Sequence, residues 1–128
     1  MTLVVDASAV GAVLFHEPDG PTIEAHTDGE TLIAPHLIDF ELANICWKRL
    51  RREPGKTAAI LAMLSGLKAV EIKRIEVPAM EIAALAAQTG LTAYDASYLW
   101  LAMARDVELV TLDKELARVN QAMRDRYV

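Results

Sequence analysis

At 128 residues, the chain has the length of one domain, expected over 1–128, and can bury a core without staples. Its 53% apolar and 24% charged composition excludes a disordered chain, and one cysteine, Cys46, excludes an internal disulfide and fits a reducing compartment. The net charge of −5 hides an asymmetry, because all thirteen Lys and Arg residues lie at or beyond Lys48; such a division can mark a nucleic-acid face.

The opening MTLVVDASAVGAVLF is apolar, but it has no basic leader and Asp6 interrupts it, unlike a signal peptide. No run approaches the roughly 18 apolar residues of a membrane span. A cytoplasmic protein is expected. LVVD (3–6) is a β-branched strand leading into a helix over ASAVGAVLF. A second short helix begins at Asp19-Gly20-Pro21 and ends near Asp28-Gly29. TLIAP (31–35) reads as a buried strand, followed by a long helix from His36 to Arg52 that Pro54-Gly55 stops. Lys56–Leu67 is another helix, apolar nearly all round, as in helices buried on more than one side. EIKRIEV (71–77) alternates as a strand, although Lys73-Arg74 blurs the period. Helices over 79–89 and 92–105 flank Gly90. ELVTLD (108–113) is a further strand, KELARVNQAM a last helix, and RYV a possible edge strand. Strands alternating with helices, without a polar strand face, predict an α/β fold: a three-layer α/β/α sandwich around a mostly parallel sheet.

In such a sheet ligands bind beyond the carboxyl ends of the strands. Asp6 and Asp113 end the first and last of these strands. Glu41 shares the inward stripe of its helix with Ile38, Leu42 and Ile45, and Asp95 shares one with Tyr98, Leu99, Ala102 and Met103. Four acids at one mouth repel: two charges about 4 Å apart cost about 4 kcal/mol at a dielectric near 20, before desolvation. A divalent cation relieves this, and an all-oxygen donor set favours Mg²⁺ or Mn²⁺. Metal held by acids at a concave mouth suits phosphodiester hydrolysis. Structural roles stay open beside this one. Thr92 and Asp95 have the spacing of a capping box, and Asp6 and Asp113 stand where helix N-caps stand. Glu41 lies past the cap positions.

LVVDASAV, the Pro35–Asn44 stretch with Glu41 and Asn44, TAYDASYLWLA and LVTLDKELA together resemble a PIN domain, and within that family the VapC-type toxins of toxin–antitoxin pairs. The resemblance spans essentially the whole chain. It implies an α/β/α sandwich and a Mg²⁺-dependent endoribonuclease toxin, with Mn²⁺ a possible substitute, inhibited by a cognate antitoxin and usually homodimeric. It implies an acid set of Asp6, Glu41, Asp95 and Asp113, of which Asp6 and Asp95 are the most direct metal ligands, with Ser8, Asn44 and Thr111 in support.

Lys48, Arg49, Arg51 and Arg52 of KRLRR could follow an RNA backbone, or simply favour a helix C-terminus. Trp47 lies off the Glu41 stripe and, with the following apolar helix, forms either an intramolecular hairpin or a surface for antitoxin or a second copy. His16, His26 and His36 match no zinc spacing. Tyr98, Trp100, Met63, Met80 and Met103 read as core packing. A phosphoacceptor receiver lacks its acceptor Asp, since Pro78 follows EIKRIEV; a haloacid-dehalogenase-type phosphatase needs a second Asp where Ser8 stands. The remaining alternatives are a nuclease of this fold acting on DNA or in RNA processing, and a non-catalytic RNA-binding or regulatory module.

Overall fold

A computed structural model describes residues 1–126. Four strands, β1 (Thr2–Val5), β2 (Thr31–Pro35), β3 (Ile72–Ile75) and β4 (Glu108–Val110), form one parallel sheet in the order β3-β2-β1-β4. Leu3 faces Leu32 on one side and Glu108 on the other, and Leu32 faces Ile72. Seven α-helices connect or follow them: α1 (Ala7–Leu14), α2 (Gly20–Thr27), α3 (Leu37–Arg52), α4 (Thr57–Ser65), α5 (Ala79–Thr89), α6 (Ala93–Arg105) and α7 (Lys114–Arg126).

The strand order decides where the helices go. From β1 to β3 the chain steps in one direction, then returns across the sheet to β4. Parallel crossovers are right-handed, so the return places α5 and α6 on the face opposite α1–α4. The packing agrees: α1 touches α2 and α3, α3 touches α4, and α6 touches α5 and α7. The step reverses at β1, between its neighbours β2 and β4. This is the topological switch point, where open parallel sheets form a crevice at their carboxyl edge.

The core lies between the sheet and these helices. Val4, Ala34, Ile38, Leu42, Leu99, Leu101 and Leu116 are wholly buried. Gly20 lets α2 meet α1, because a Cβ there would come within 2.5 Å of the Ala12 carbonyl oxygen. Arg74 explains the blurred period of β3: its guanidinium donates to both carboxylate oxygens of Asp39 on α3, at 2.6 and 3.2 Å.

Several expectations are corrected. β4 ends at Val110, so Thr111, Leu112 and Asp113 are irregular rather than strand. Its partner β1 turns into α1 at Asp6, leaving nothing for those residues to pair with. Arg126 is the last residue of α7, and the rest of the expected RYV strand, Tyr127 and Val128, lies outside the described residues. Met80 is exposed because α5 turns Ile82 and Leu85 inward, and Met103 is exposed in the last turn of α6. α4 packs on α3 as a hairpin but buries only Ile60 fully, leaving Leu61 exposed. Among the described residues, no helix is long and apolar enough to cross a membrane.

Candidate active site

Asp6 follows the last residue of β1 and caps α1. Its Oδ1 accepts the Ala9 N–H at 3.0 Å and the Ser8 hydroxyl at 2.7 Å, and its Oδ2 accepts the Thr111 hydroxyl. Its side chain is buried. Burial pushes its pKa up; the bonds from Thr111, Ser8 and Ala9 oppose the rise and the charge of Asp113 adds to it. The capping role therefore exists, and it fixes the carboxylate in place. Ser8 also accepts the Leu112 N–H at 2.9 Å, and Thr111 the Asp113 N–H at 3.0 Å. These bonds lace the β4–α7 connection to the start of α1. Asp113 caps α7 by accepting the Leu116 N–H at 2.8 Å.

Glu41 stands in the second turn of α3, half-buried beside Ile38 and Leu42. The Tyr98 hydroxyl donates to its Oε1 at 2.6 Å, joining α6 to α3. Burial raises the Glu41 pKa; the Tyr98 bond lowers it, and the charges of Asp95 and Asp6 raise it again. Asp95 occupies the first turn of α6, where its N–H reaches the Thr92 hydroxyl at 3.1 Å. Half of the anticipated capping box is thus present. Burial raises the Asp95 pKa, the charges of Asp113 and Asp6 raise it further, and no hydrogen bond offsets them among the described residues.

All four acids line one cavity of about 490 Å³, together with Ser8, Asn44, Lys48, Phe40, Tyr94 and Tyr98. It opens at the switch point. A larger groove of about 1150 Å³ runs past Glu24, Lys68 and Arg74 and holds none of the four acids. Raised carboxylates gathered in a cleft are the stronger sign of chemistry. Among the described residues, Lys48 is the one cation lining the acid cavity. Among the described residues, no three His, Cys, Asp or Glu side chains close around one point as a ready-made metal cage. Mg²⁺ does not require one, because it is commonly held by one or two carboxylates and keeps several waters. The donor set therefore fits that ion in kind.

The basic run divides. Arg49 is engaged within the fold, donating to the Phe15 carbonyl at 2.7 Å and to Glu53 at 3.0 Å. Arg51 lies over the exposed Trp47 ring, 4.9 Å from its centre, and Arg51 and Arg52 border a depression they share with Lys48. His16, His26 and His36 are exposed and far from forming a cluster; His26 pairs with Glu108. The Tyr98–Glu41 bond was not legible as such, since Tyr98 reads as packing alone. The available signal was an inward Glu41 in need of a donor, and Tyr98 on the same helix face as Asp95.

Comparison with known proteins places the chain. The chain belongs to the PIN domain family, whose model matches residues 3–122. It is 35% identical over 122 residues to "Ribonuclease VapC3" of Pyrobaculum aerophilum, covering 91% of this chain and 93% of that protein. It is 35% identical over 117 residues to "Exonuclease VapC9" of the same organism, covering 88% and 81%. Among solved structures it resembles PAE2754 from Pyrobaculum aerophilum, with a TM-score of 0.75 and 31% identity over 93% of this chain and 84% of the other.

Proposed function

We propose that the chain is a Mg²⁺-dependent endoribonuclease and the toxin of a toxin–antitoxin pair. The observation that carries this reading is the meeting of four carboxylates, from four separate elements, in one cavity at the switch point. Nothing in packing alone requires such repulsion. The names of the relatives support RNA as the substrate, since four of them, from three species, read ribonuclease.

Asp6 and Asp95 would hold Mg²⁺ most directly, with Glu41 and Asp113 ligating it or its waters; Mn²⁺ would substitute. When bound, the ion supplies polarisation of the phosphate, a more acidic attacking water and stabilisation of the leaving oxygen. The chain supplies position. Ser8, Thr111 and the Ala9 N–H hold Asp6 in one orientation, and Tyr98 aims Glu41. Lys48 offers the cavity a counter-charge for a phosphate. No side chain needs to act as a covalent nucleophile. The same reading assigns a protein antitoxin as partner, a homodimer and a cytoplasmic location.

A second reading has a specific support, because one relative is named an exonuclease. Both are tested together. Purified chain is incubated with linear RNA, circular RNA and DNA in Mg²⁺, in chelator, and with Asp95→Asn. Opening of the RNA circle that needs both metal and Asp95 is the expected result. Shortening of linear strands alone would establish the exonuclease, and cutting of DNA alone the deoxyribonuclease. Undiminished cleavage by a folded Asp95→Asn chain would remove Asp95 from the chemistry. Growth arrest on expression, relieved by the product of an adjacent reading frame, tests the toxin assignment.

A further inference from the structure

Among the described residues, Phe and Tyr occur at four positions. Phe15 and Tyr98 are buried in the core. The other two, Phe40 and Tyr94, are 74% and 63% exposed, and both line the acid cavity. Each directly precedes a helix-borne acid: Phe40 precedes Glu41 on α3, and Tyr94 precedes Asp95 on α6. One residue is about 100° of helix, so where the acid turns inward its neighbour turns to the rim. Two different helices thus set an aromatic ring beside the acid they contribute.

Leaving two such rings in water gives up stabilisation of about 25 cal/mol per Å² of apolar surface. A scattered exposed aromatic needs no explanation, but two framing one cavity form a patch. The charge pattern says what the patch faces. Four carboxylates repel phosphates, so a nucleic-acid strand entering here gains little from its backbone at the mouth itself. Rings at the rim can hold the bases instead, since every base has a face to stack. Cations then lie along α3: Lys48 is eight residues from Phe40, on one helix face with it and Asn44, and Arg51 and Arg52 follow. Phe40 to Arg52 spans about 18 Å at 1.5 Å per residue. Beside Tyr94 a second depression of about 380 Å³, which it shares with Leu37, gives an unstacked base apolar walls.

We propose that Phe40 and Tyr94 are a base-stacking platform that selects single-stranded RNA, with its backbone tracked by Lys48, Arg51 and Arg52 outside the acid mouth. Duplex RNA keeps its bases stacked on one another and offers these rings nothing. The proposal rests on the nuclease reading, and the test separates the two.

Binding is measured in the Asp95→Asn chain with Mg²⁺, by anisotropy of a labelled single-stranded RNA and of a duplex of equal length. A second strand carries 2-aminopurine, whose fluorescence reports stacking directly. Phe40→Ala and Tyr94→Ala should each weaken single-strand binding by about fivefold to about 150-fold, the effect of one lost base–aromatic stack. Duplex binding should not move, and the 2-aminopurine signal should return to that of free RNA. Phe40→Trp and Tyr94→Phe should restore binding, which a folding defect would not permit. Alanine variants that bind single strands as tightly as the parent overturn the proposal, as does equal loss for duplex and single strand. A changed oligomeric state by light scattering, with RNA binding untouched, would give the patch to a second copy and also overturn it. Ring-dependent binding, together with an Asp95-intact chain that cleaves nothing, would uphold the platform and sink the nuclease. Cleavage by the Asp95-intact chain with ring-independent binding would do the reverse.

Discussion

Removing one oxygen atom from Tyr98 probes the candidate site without touching an acid. The Tyr98 hydroxyl is buried and donates to Glu41 Oε1 at 2.6 Å. A hydrogen bond to a charged group contributes about 1.5–3 kcal/mol, and a buried acceptor left without a donor costs about 1–3 kcal/mol. Glu41 is only half-buried, so water can replace part of the lost bond and the lower end of the range applies. We expect Tyr98→Phe to cost about 1.5 kcal/mol at pH 7. An unfolding entropy of about 2.1 cal/mol/K per residue over 128 residues converts each kcal/mol to about 4 °C. The melting temperature should then fall by about 6 °C.

The charge on Glu41 gives the loss a pH signature. The hydroxyl favours the ionised carboxylate, which burial disfavours. The gap between parent and variant is therefore widest above the raised Glu41 pKa and narrows as pH falls through it. Urea denaturation of four proteins, the parent, Tyr98→Phe, Glu41→Gln and the double variant, measures the coupling at each pH. The two substitutions should cost less together than the sum of their separate effects. A Tyr98→Phe loss that is the same in the Glu41→Gln background and flat in pH would refute the reasoning, leaving Tyr98 as a packing residue.

In metal-free protein, Asp6, Glu41 and Asp95 all have pKa values raised by burial. Acids of this kind stabilise the fold when protonated, fully below their unfolded values, and the stabilisation is lost as pH rises through the raised ones. Melting in chelator should therefore improve as pH falls from 7 through the raised values towards the unfolded carboxylate values of about 4, and Mg²⁺ at pH 7 should recover the deficit; steady weakening over that interval contradicts it. For the same reason Asp95→Asn should abolish metal-dependent cleavage while raising the metal-free melting temperature at pH 7, by an amount that solvent screening of this partly exposed carboxylate keeps small. A lower melting temperature would show that the carboxylate is structural. Arg49→Ala should cost about 1–2 kcal/mol by freeing the Phe15 carbonyl and Glu53, with no change in the salt dependence of RNA binding. Arg51→Ala with Arg52→Ala should instead reduce that salt slope by about 1.4 and spare stability; the opposite division would exchange their roles.

The sequence discloses facing better than partnership. Spacing alone turns Glu41 towards the core with Ile38 and Leu42, because a helix repeats its face every three to four residues, and the structure agrees. The same periodicity cannot tell that the donor for Glu41 comes from Tyr98, 57 positions away on another helix. Strand limits fail for a related reason. Leu112 continues the apolar alternation of Leu109 and Val110, yet a strand ends where its neighbour does, and β1 turns aside at Asp6. Met80 misleads because hydropathy records what a side chain prefers, while Ile82 and Leu85 decide which face of α5 is covered.

What no pattern of residues conveys is that the acids are held in different ways. Asp6 is gripped by three donors on both its oxygens, Glu41 by one, and Asp113 by the helix it caps. For Asp95, among the described residues, only burial and repulsion act on the carboxylate. A carboxylate bound on both oxygens is fixed before any ligand arrives, and its hydrogen bonds have already offset part of its desolvation. One without such bonds retains its full penalty until a cation comes. Asp6 thus sets the place of the site, while at Asp95 no hydrogen bond among the described residues relieves the cost. It follows that Asp95→Asn should weaken Mn²⁺ binding, measured by titration of the paramagnetic signal, more than Glu41→Gln does. Equal losses would mean that the difference in hydrogen bonding has no part in how the ion is held.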